Sequence, residues 1–390
     1  MIDDAIEDAV AAFQRIFSER PAACGIGPGR VEILGNHTDY NGGCVLTAAI
    51  DRAVVVAGRP CAGDEARVHS VALDSTVRFS IREPVRDARA AWADYLKAVV
   101  VVLRRAGVQV PAFEAVVAGN LPVAAGLSSS AALETATAQL IGSFTHLGVG
   151  PTDLALLLQR AENEFVQMRC GILDQFSSIH GRTDHLIFLD CATLDHQLLS
   201  MGDRAPAIVL CDSQTPRSLT AGEYNVRRRE CEQAAMMLSE LLHRPVDRLG
   251  AVTGEEFRRV ESGLPDVLRR RARHVIGENE RVLQARDALG CGRGTELGPL
   301  MARSQESSRI DFENSSADLD LLCRIASEQP GCLGSRLCGA GWGGHTVNLV
   351  TAEAVETFSG TITGEFQSAT GRMPPIHVCH AAGGARSLRL

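Results

Sequence analysis

The 390-residue chain is 45% hydrophobic and 22% charged, which excludes a disordered or fibrous protein and is enough material for two cores of ordinary size. Its formal net charge of -8 excludes a general nucleic-acid binder, whose footprint is basic, and allows a small anionic ligand only where the site is locally positive. No apolar run reaches the roughly 18–20 residues of a membrane helix, and the start Met1-Ile2-Asp3-Asp4 has no basic, apolar leader, so a cytoplasmic protein without membrane contact is expected. The twelve cysteines, spread from Cys24 to Cys379 with no C-x-x-C pair, then read as small buried thiols.

Apolar Ile6, Val10, Phe13 and Ile16 have helical spacing and predict an amphipathic helix over 5–17. Short apolar runs broken by Gly, Pro, Asn and Asp over 22–56, and alternation over 67–81, predict strands with tight turns. A helix over 90–106, a strand at 113–117, a Gly- and Ser-rich turn and helices over 130–145, 152–168 and 174–180 follow. Beyond a strand at 185–190 the patterning weakens, and the domain boundary is placed at 200/201, giving domains 1–200 and 201–390. The second half reads as a strand at 207–212, helices over 225–242, 255–268, 276–288 and 319–328, and strands at 346–350 and 376–380 flanking a last helix. Mixed strands and helices favour an α+β fold, with mixed or antiparallel sheets, over a doubly wound parallel sheet.

Three glycine-rich segments carry chemistry. Pro28-Gly29-Arg30-Val31-Glu32-Ile33-Leu34-Gly35-Asn36-His37-Thr38-Asp39-Tyr40-Asn41-Gly42-Gly43 packs polar side chains between glycines, which suits ligand binding, although Asn41-Gly42 alone suits a hairpin turn. Gly126-Leu127-Ser128-Ser129-Ser130-Ala131 falls where a helix begins, so its free N–H groups and the positive end of the helix dipole suit a phosphate chain. It has no lysine and is not a P-loop, and the same serines would serve a plain N-cap. Gly339-Ala340-Gly341-Trp342-Gly343-Gly344 permits close backbone approach, or is simply a turn.

In this order the three segments resemble those of the GHMP superfamily of small-molecule kinases, the galactokinases, homoserine, mevalonate and phosphomevalonate kinases. The first is most similar to the sugar-binding signature of the galactokinase family. Matches at Ala161-Glu162-Asn163-Glu164-Phe165, Gly171-Ile172-Leu173-Asp174-Gln175-Phe176, Glu223-Tyr224-Asn225-Val226-Arg227-Arg228-Arg229 and Arg273-His274-Val275-Ile276 extend the likeness along most of the chain. The resemblance implies a two-domain GHMP kinase fold with an active-site cleft between the domains, and an ATP-dependent kinase acting on the C1 hydroxyl of a sugar, galactose first. It implies Asp174 as catalytic base with Arg30 facing it, and Asn36, His37, Asp39, Gly171, Asp174 and Tyr224 as sugar contacts. Gly126, Leu127, Ser128, Ser129, Ser130 and Ala131 would bind the nucleotide, and Ser130 or Ser129 with Glu162 would hold Mg²⁺. Trp92 and Tyr95 are similar to the family's aromatic segment near the base, while their i, i+3 spacing equally suits a core. A monomer or weak homodimer is expected.

The chain departs from the family's pattern at several positions. Asn36 stands where galactokinases usually carry Glu, and Glu32 where they usually carry Asn. Removing a charge at position 36 admits a uronic acid without like-charge repulsion, so a galacturonate-type kinase is the alternative. Arg217, where a His is usual, would add positive charge or lie on the surface. A regulator without turnover is a third reading, and the intact Ser130-Ala131-Ala132 run argues against it.

Overall fold

The computed structural model describes residues 2–122, 127–168, 170–215 and 220–390. The chain begins with α1 (Ile2–Phe17), β1 (Ala23–Leu34), β2 (Cys44–Cys61), β3 (Glu65–Ser70), β4 (Ser75–Ser80), α2 (Asp94–Arg105), β5 (Ala112–Gly119), α3 (Ser129–Phe144), α4 (Pro151–Arg160) and α5 (Leu173–His180). It continues with β6 (His185–Asp190), β7 (His196–Ser200), β8 (Ala207–Asp212), α6 (Thr220–Leu241), α7 (Gly254–Val260) and α8 (Asp266–Gly290). It ends with α9 (Leu297–Ser307), α10 (Ala317–Ser327), β9 (Cys332–Leu337), β10 (His345–Val350), α11 (Val355–Thr370), β11 (Ile376–Cys379) and β12 (Arg386–Arg389). The fold is α+β, and all twelve cysteines are free thiols. No helix among the described residues is long and apolar enough to cross a membrane.

Two compact units arise, neither continuous in sequence: Met1–Arg30, Ala49–Arg182 and Ala382–Leu390 form one, and Val31–Ala48 with Thr183–Ala381 the other. This partition differs from a single cut at 200/201. The hairpin segment after Arg30 goes with later residues because Cys44 to Thr47 of β2 pair with β6. The C-terminal β12 goes with the first unit because it pairs antiparallel with β1, Ala23 opposite Arg389.

In the first unit the strand order is β12-β1-β2-β5-β3-β4, with β3 and β5 parallel. Successive residues of a strand face opposite sides, and here they enter different cores. Val55 and Val116 meet Ala9 and Phe13 of α1, whereas Val56 and Ala115 share a core with Leu96, Val99 and Leu103 of α2 and Leu140 of α3. In the second unit the antiparallel sheet β11-β8-β10-β9 buries Val209 and Val350 against Leu322 and Ile325 of α10 and Phe358 and Ile362 of α11. A helical core there joins Leu238 of α6 to Val275 and Ile276 of α8 and to Phe312.

Candidate active site

In the first unit Arg30 leaves β1 beside the start of α5. Its Nε and Nη2 donate to the same oxygen, Oδ1 of Asp174, at 2.7 and 2.6 Å. The arginine side chain is 9% exposed and the aspartate 25%, so the pair is held in protein while the carboxylate still reaches solvent. The strand is pinned just before it: Ser178 Oγ on α5 donates to Pro28 O at 2.7 Å, and Arg30 N donates to Leu127 O at 3.3 Å. A Cβ on Gly29 would lie 3.0 Å from Leu127 O and 2.5 Å from the end of the Leu121 side chain.

Beneath Asp174 lies a buried acidic group. Gln175 Nε2 donates to Glu162 Oε2 at 2.7 Å and to Glu134 Oε2 at 3.0 Å, and the Ser130 hydroxyl also bonds Glu162. Burial, followed by the charge of Asp174, pushes the Glu162 carboxyl up to about 7, and burial with the charge of Glu162 raises Glu134 well above the usual carboxylate range. Glu162 sits, buried, in a π-helical turn, Ala161–Val166, where a continuous helix over 152–168 was expected.

The α3 start is not a plain serine cap. Ser128 lies in the left-handed region (φ 57°), makes no side-chain cap bond, and its buried hydroxyl has no hydrogen-bond partner among the described residues. Ser129 and Ser130 are half-buried in the first turn, Leu127 and Ala131 are fully buried, and Gly126 lies outside the described residues. Gly171 is buried in the segment before α5. Trp92 and Tyr95 pack against the core that α2 shares with the sheet.

In the second unit the signature continues with Gly35 at φ 108°, His37 at φ 60° and a 3₁₀ turn, Asp39–Asn41. Asn36 is 1% exposed, and its amide is engaged throughout: Nδ2 donates to Gly339 O (2.8 Å) and Glu32 Oε1 (3.2 Å), and Oδ1 accepts from Asn314 Nδ2 (2.8 Å). His37 donates from Nε2 to Ala340 O at 3.0 Å and accepts at Nδ1 from the Tyr40 hydroxyl at 2.9 Å. Burial, partly offset by the bond to Ala340 and reinforced by Arg227 and Arg336, holds its imidazole down to about 4, so the ring is neutral. Through these bonds both side chains hold the Gly339–Gly344 connection between β9 and β10. Half-buried Asp39 and Tyr224 flank them, the Tyr224 ring 5.5 Å from that of His37. Arg217 lies outside the described residues.

The galactokinase galactose-binding signature matches residues 11–60, the N-terminal GHMP kinase domain 94–182 and the C-terminal GHMP kinase domain 285–359. A galactokinase of Roseiflexus sp. (strain RS-1) is 41% identical over 95% of this chain and 94% of its own. The chain belongs to the galactokinase family. A galactokinase of Haemophilus influenzae is 35% identical over 98% of this chain and 99% of its own. The crystal structure of Lactococcus lactis galactokinase complexed with galactose superposes with a TM-score of 0.90 at 30% identity, covering 99% of this chain and all of that one.

For a galactokinase-family chain, motif reading assigned no role to several buried polar residues that the structure makes prominent. Glu134 follows the serine run, and Gln175 follows Asp174 inside a quoted motif. Glu278 lies one helical turn beyond the quoted His274, and Arg336 pairs with Glu32 through Nη1 at 2.9 Å. For the three on helices the available signal was a charged or amide residue on a face otherwise apolar; Arg336 lies on β9.

Proposed function

We propose that the protein transfers the γ-phosphoryl group of ATP to the C1 hydroxyl of galactose. The observation that carries this is the Arg30–Asp174 pair, a half-open carboxylate held by a buried guanidinium on a chain of the galactokinase family. Phosphoryl transfer needs aligned reactants and charge stabilisation more than covalent help. Asp174 accepts the C1 hydroxyl proton as the new O–P bond forms and the bond from the γ-phosphorus to the β–γ bridging oxygen breaks, releasing ADP; Arg30 orients the carboxylate and offsets charge on the transferring group. Asp39, Gly171 and Tyr224 contact the sugar, while Asn36 and His37 shape that segment from behind. The segment Gly126 to Ala131, which leads into α3, cradles the phosphates, an assignment supported by the Ser128 hydroxyl, which has no partner among the described residues.

Mg²⁺ fits the residues present. It binds protein through one or two oxygen ligands and keeps water and phosphate oxygens for the rest, and the bonded pair Ser130 and Glu162 is such a donor set. When bound, it neutralises charge on the polyphosphate. The chain is read as cytoplasmic and as a monomer or weak dimer.

An ADP-release assay with galactose, galacturonate, N-acetylgalactosamine, arabinose and fucose tests the substrate. Galactose should give the highest kcat/KM, and a larger value for galacturonate would overturn the reading. Asp174→Asn should lower kcat about a hundred-fold or more while both KM values stay within a few-fold; near-normal kcat would remove Asp174 as the base.

A further inference from the structure

Helix α8 takes peptide groups of the turn that closes β1. Glu278 on α8 is fully buried, and its Oε1 accepts from Gly35 N at 2.9 Å, Asn36 N at 3.2 Å and Ser304 Oγ at 2.7 Å, while its Oε2 accepts from Arg281 Nε at 2.7 Å. One turn earlier, His274 Nε2 donates to Asn36 O at 3.1 Å, with Nδ1 against Ser307 Oγ at 3.0 Å. Asn279 Oδ1 accepts from Cys44 N at 2.7 Å, so α8 also meets the far end of the segment. Two successive N–H groups converging on one oxygen make an anion nest. The nest requires Gly35 at φ 108°, where a Cβ would lie 2.7 Å from Val45 Cα.

We infer that Glu278 and His274 are positioning residues for sugar recognition, fixing the Gly35–Asn36 peptide so that Asp39, three residues on, is preset for the acceptor sugar. This rests on the galactokinase reading above. Buried peptide groups without partners are costly, so a loosened turn must pay its ordering cost when sugar binds. Arg281 and Arg336, opposing what burial alone would do, hold the Glu278 carboxyl well below the usual range, in the ionised form that the three donors need.

The test is Glu278→Gln in the full chain, with galactose and MgATP varied separately and backbone hydrogen exchange followed over residues 31–40. The galactose KM should rise at least about ten-fold, the equivalent of one charge-assisted hydrogen bond. The MgATP KM should stay within two-fold, and exchange over 31–40 should accelerate. A folded variant with faster exchange and an unchanged galactose KM overturns the inference, as does an equal rise in both KM values, which marks general destabilisation. Should Glu278→Gln fail to fold, His274→Gln is compared with His274→Leu. The glutamine keeps an N–H for Asn36 O and should preserve the galactose KM, the leucine should raise it, and equal values overturn the inference. Wild-type protein that prefers another aldose sinks only the galactose assignment, and the same comparison is then made with that aldose.

Discussion

Asn36 and Glu32 carry, in exchanged order, the residue types that galactokinases usually have at these two positions. The carboxylate is therefore not missing from the signature. It has moved four residues back, where Asn36 Nδ2 and Arg336 Nη1 both donate to Glu32 Oε1, at 3.2 and 2.9 Å. Arg336 is fully buried, and leaving it unpaired would be costly. The local argument for a uronate, a charge vacated at position 36, loses force once that amide is seen to be spent inside the protein. Asn36→Glu alone should accordingly harm rather than help, by placing a second carboxylate against Glu32. Glu32→Asn alone should strand Arg336, and the double exchange should recover much of both losses. Urea unfolding of the four proteins gives the coupling, expected at about 1–3 kcal/mol as for side chains in direct contact; simple additivity would refute the pairing.

At the scale of elements, β1 and α3 approach so closely that glycine is obligatory. A Cβ on Gly25 would lie 1.9 Å from Ala136 O and one on Gly27 2.0 Å from Ala132 O, backbone atoms that cannot swing away. This contact sets α3 against the strand that delivers Arg30, and it links fold to site. Gly27→Ala should destabilise by about 3 kcal/mol or more. The same substitution at Gly360 or Gly364, exposed interior positions of α11 with open space around them, should stabilise by about 0.5–1 kcal/mol. Thermal unfolding of the three variants checks both signs. Helices with strong periodicity, such as α1 and α2, were legible in the sequence to within a few residues. The strand β12, exposed at every position, and β9, interrupted by Gly334 and Arg336, were not. Neither has the alternation that marks a half-buried strand, because their places come from pairing with β1 and β10.

For the molecule as a whole, buried ionisable groups tie stability to pH. His37 titrates normally in the unfolded chain, near 6.5, but only at about 4 when folded, because burial opposes its charge. Between those values the unfolded chain binds the proton and the folded chain does not, so this group subtracts stability as pH falls from 6.5 to 4. The contribution approaches about 3 kcal/mol at the low end. His37→Gln removes it: whatever the substitution costs at pH 7, the cost should shrink, or change sign, at pH 4.5. Urea midpoints of both proteins at the two pH values measure this, and a constant difference would exclude His37 as the source.

The sequence by itself determined the α+β class, the three signature segments and the Arg30 and Asp174 positions, because each is encoded in local periodicity or in a contiguous motif. Only the tertiary structure decided which side chains of those motifs remain available to a ligand. Asn36 and His37 look like simple ligands in one dimension, but each also bonds partners some 300 residues away, at Gly339, Ala340 and Asn314. The same holds for the division into units, which follows strand pairing between residues distant in sequence and so cuts the chain where no change in composition marks it. Hydrogen bonds and strand pairs join groups near in space, and only the folded chain brings these groups together.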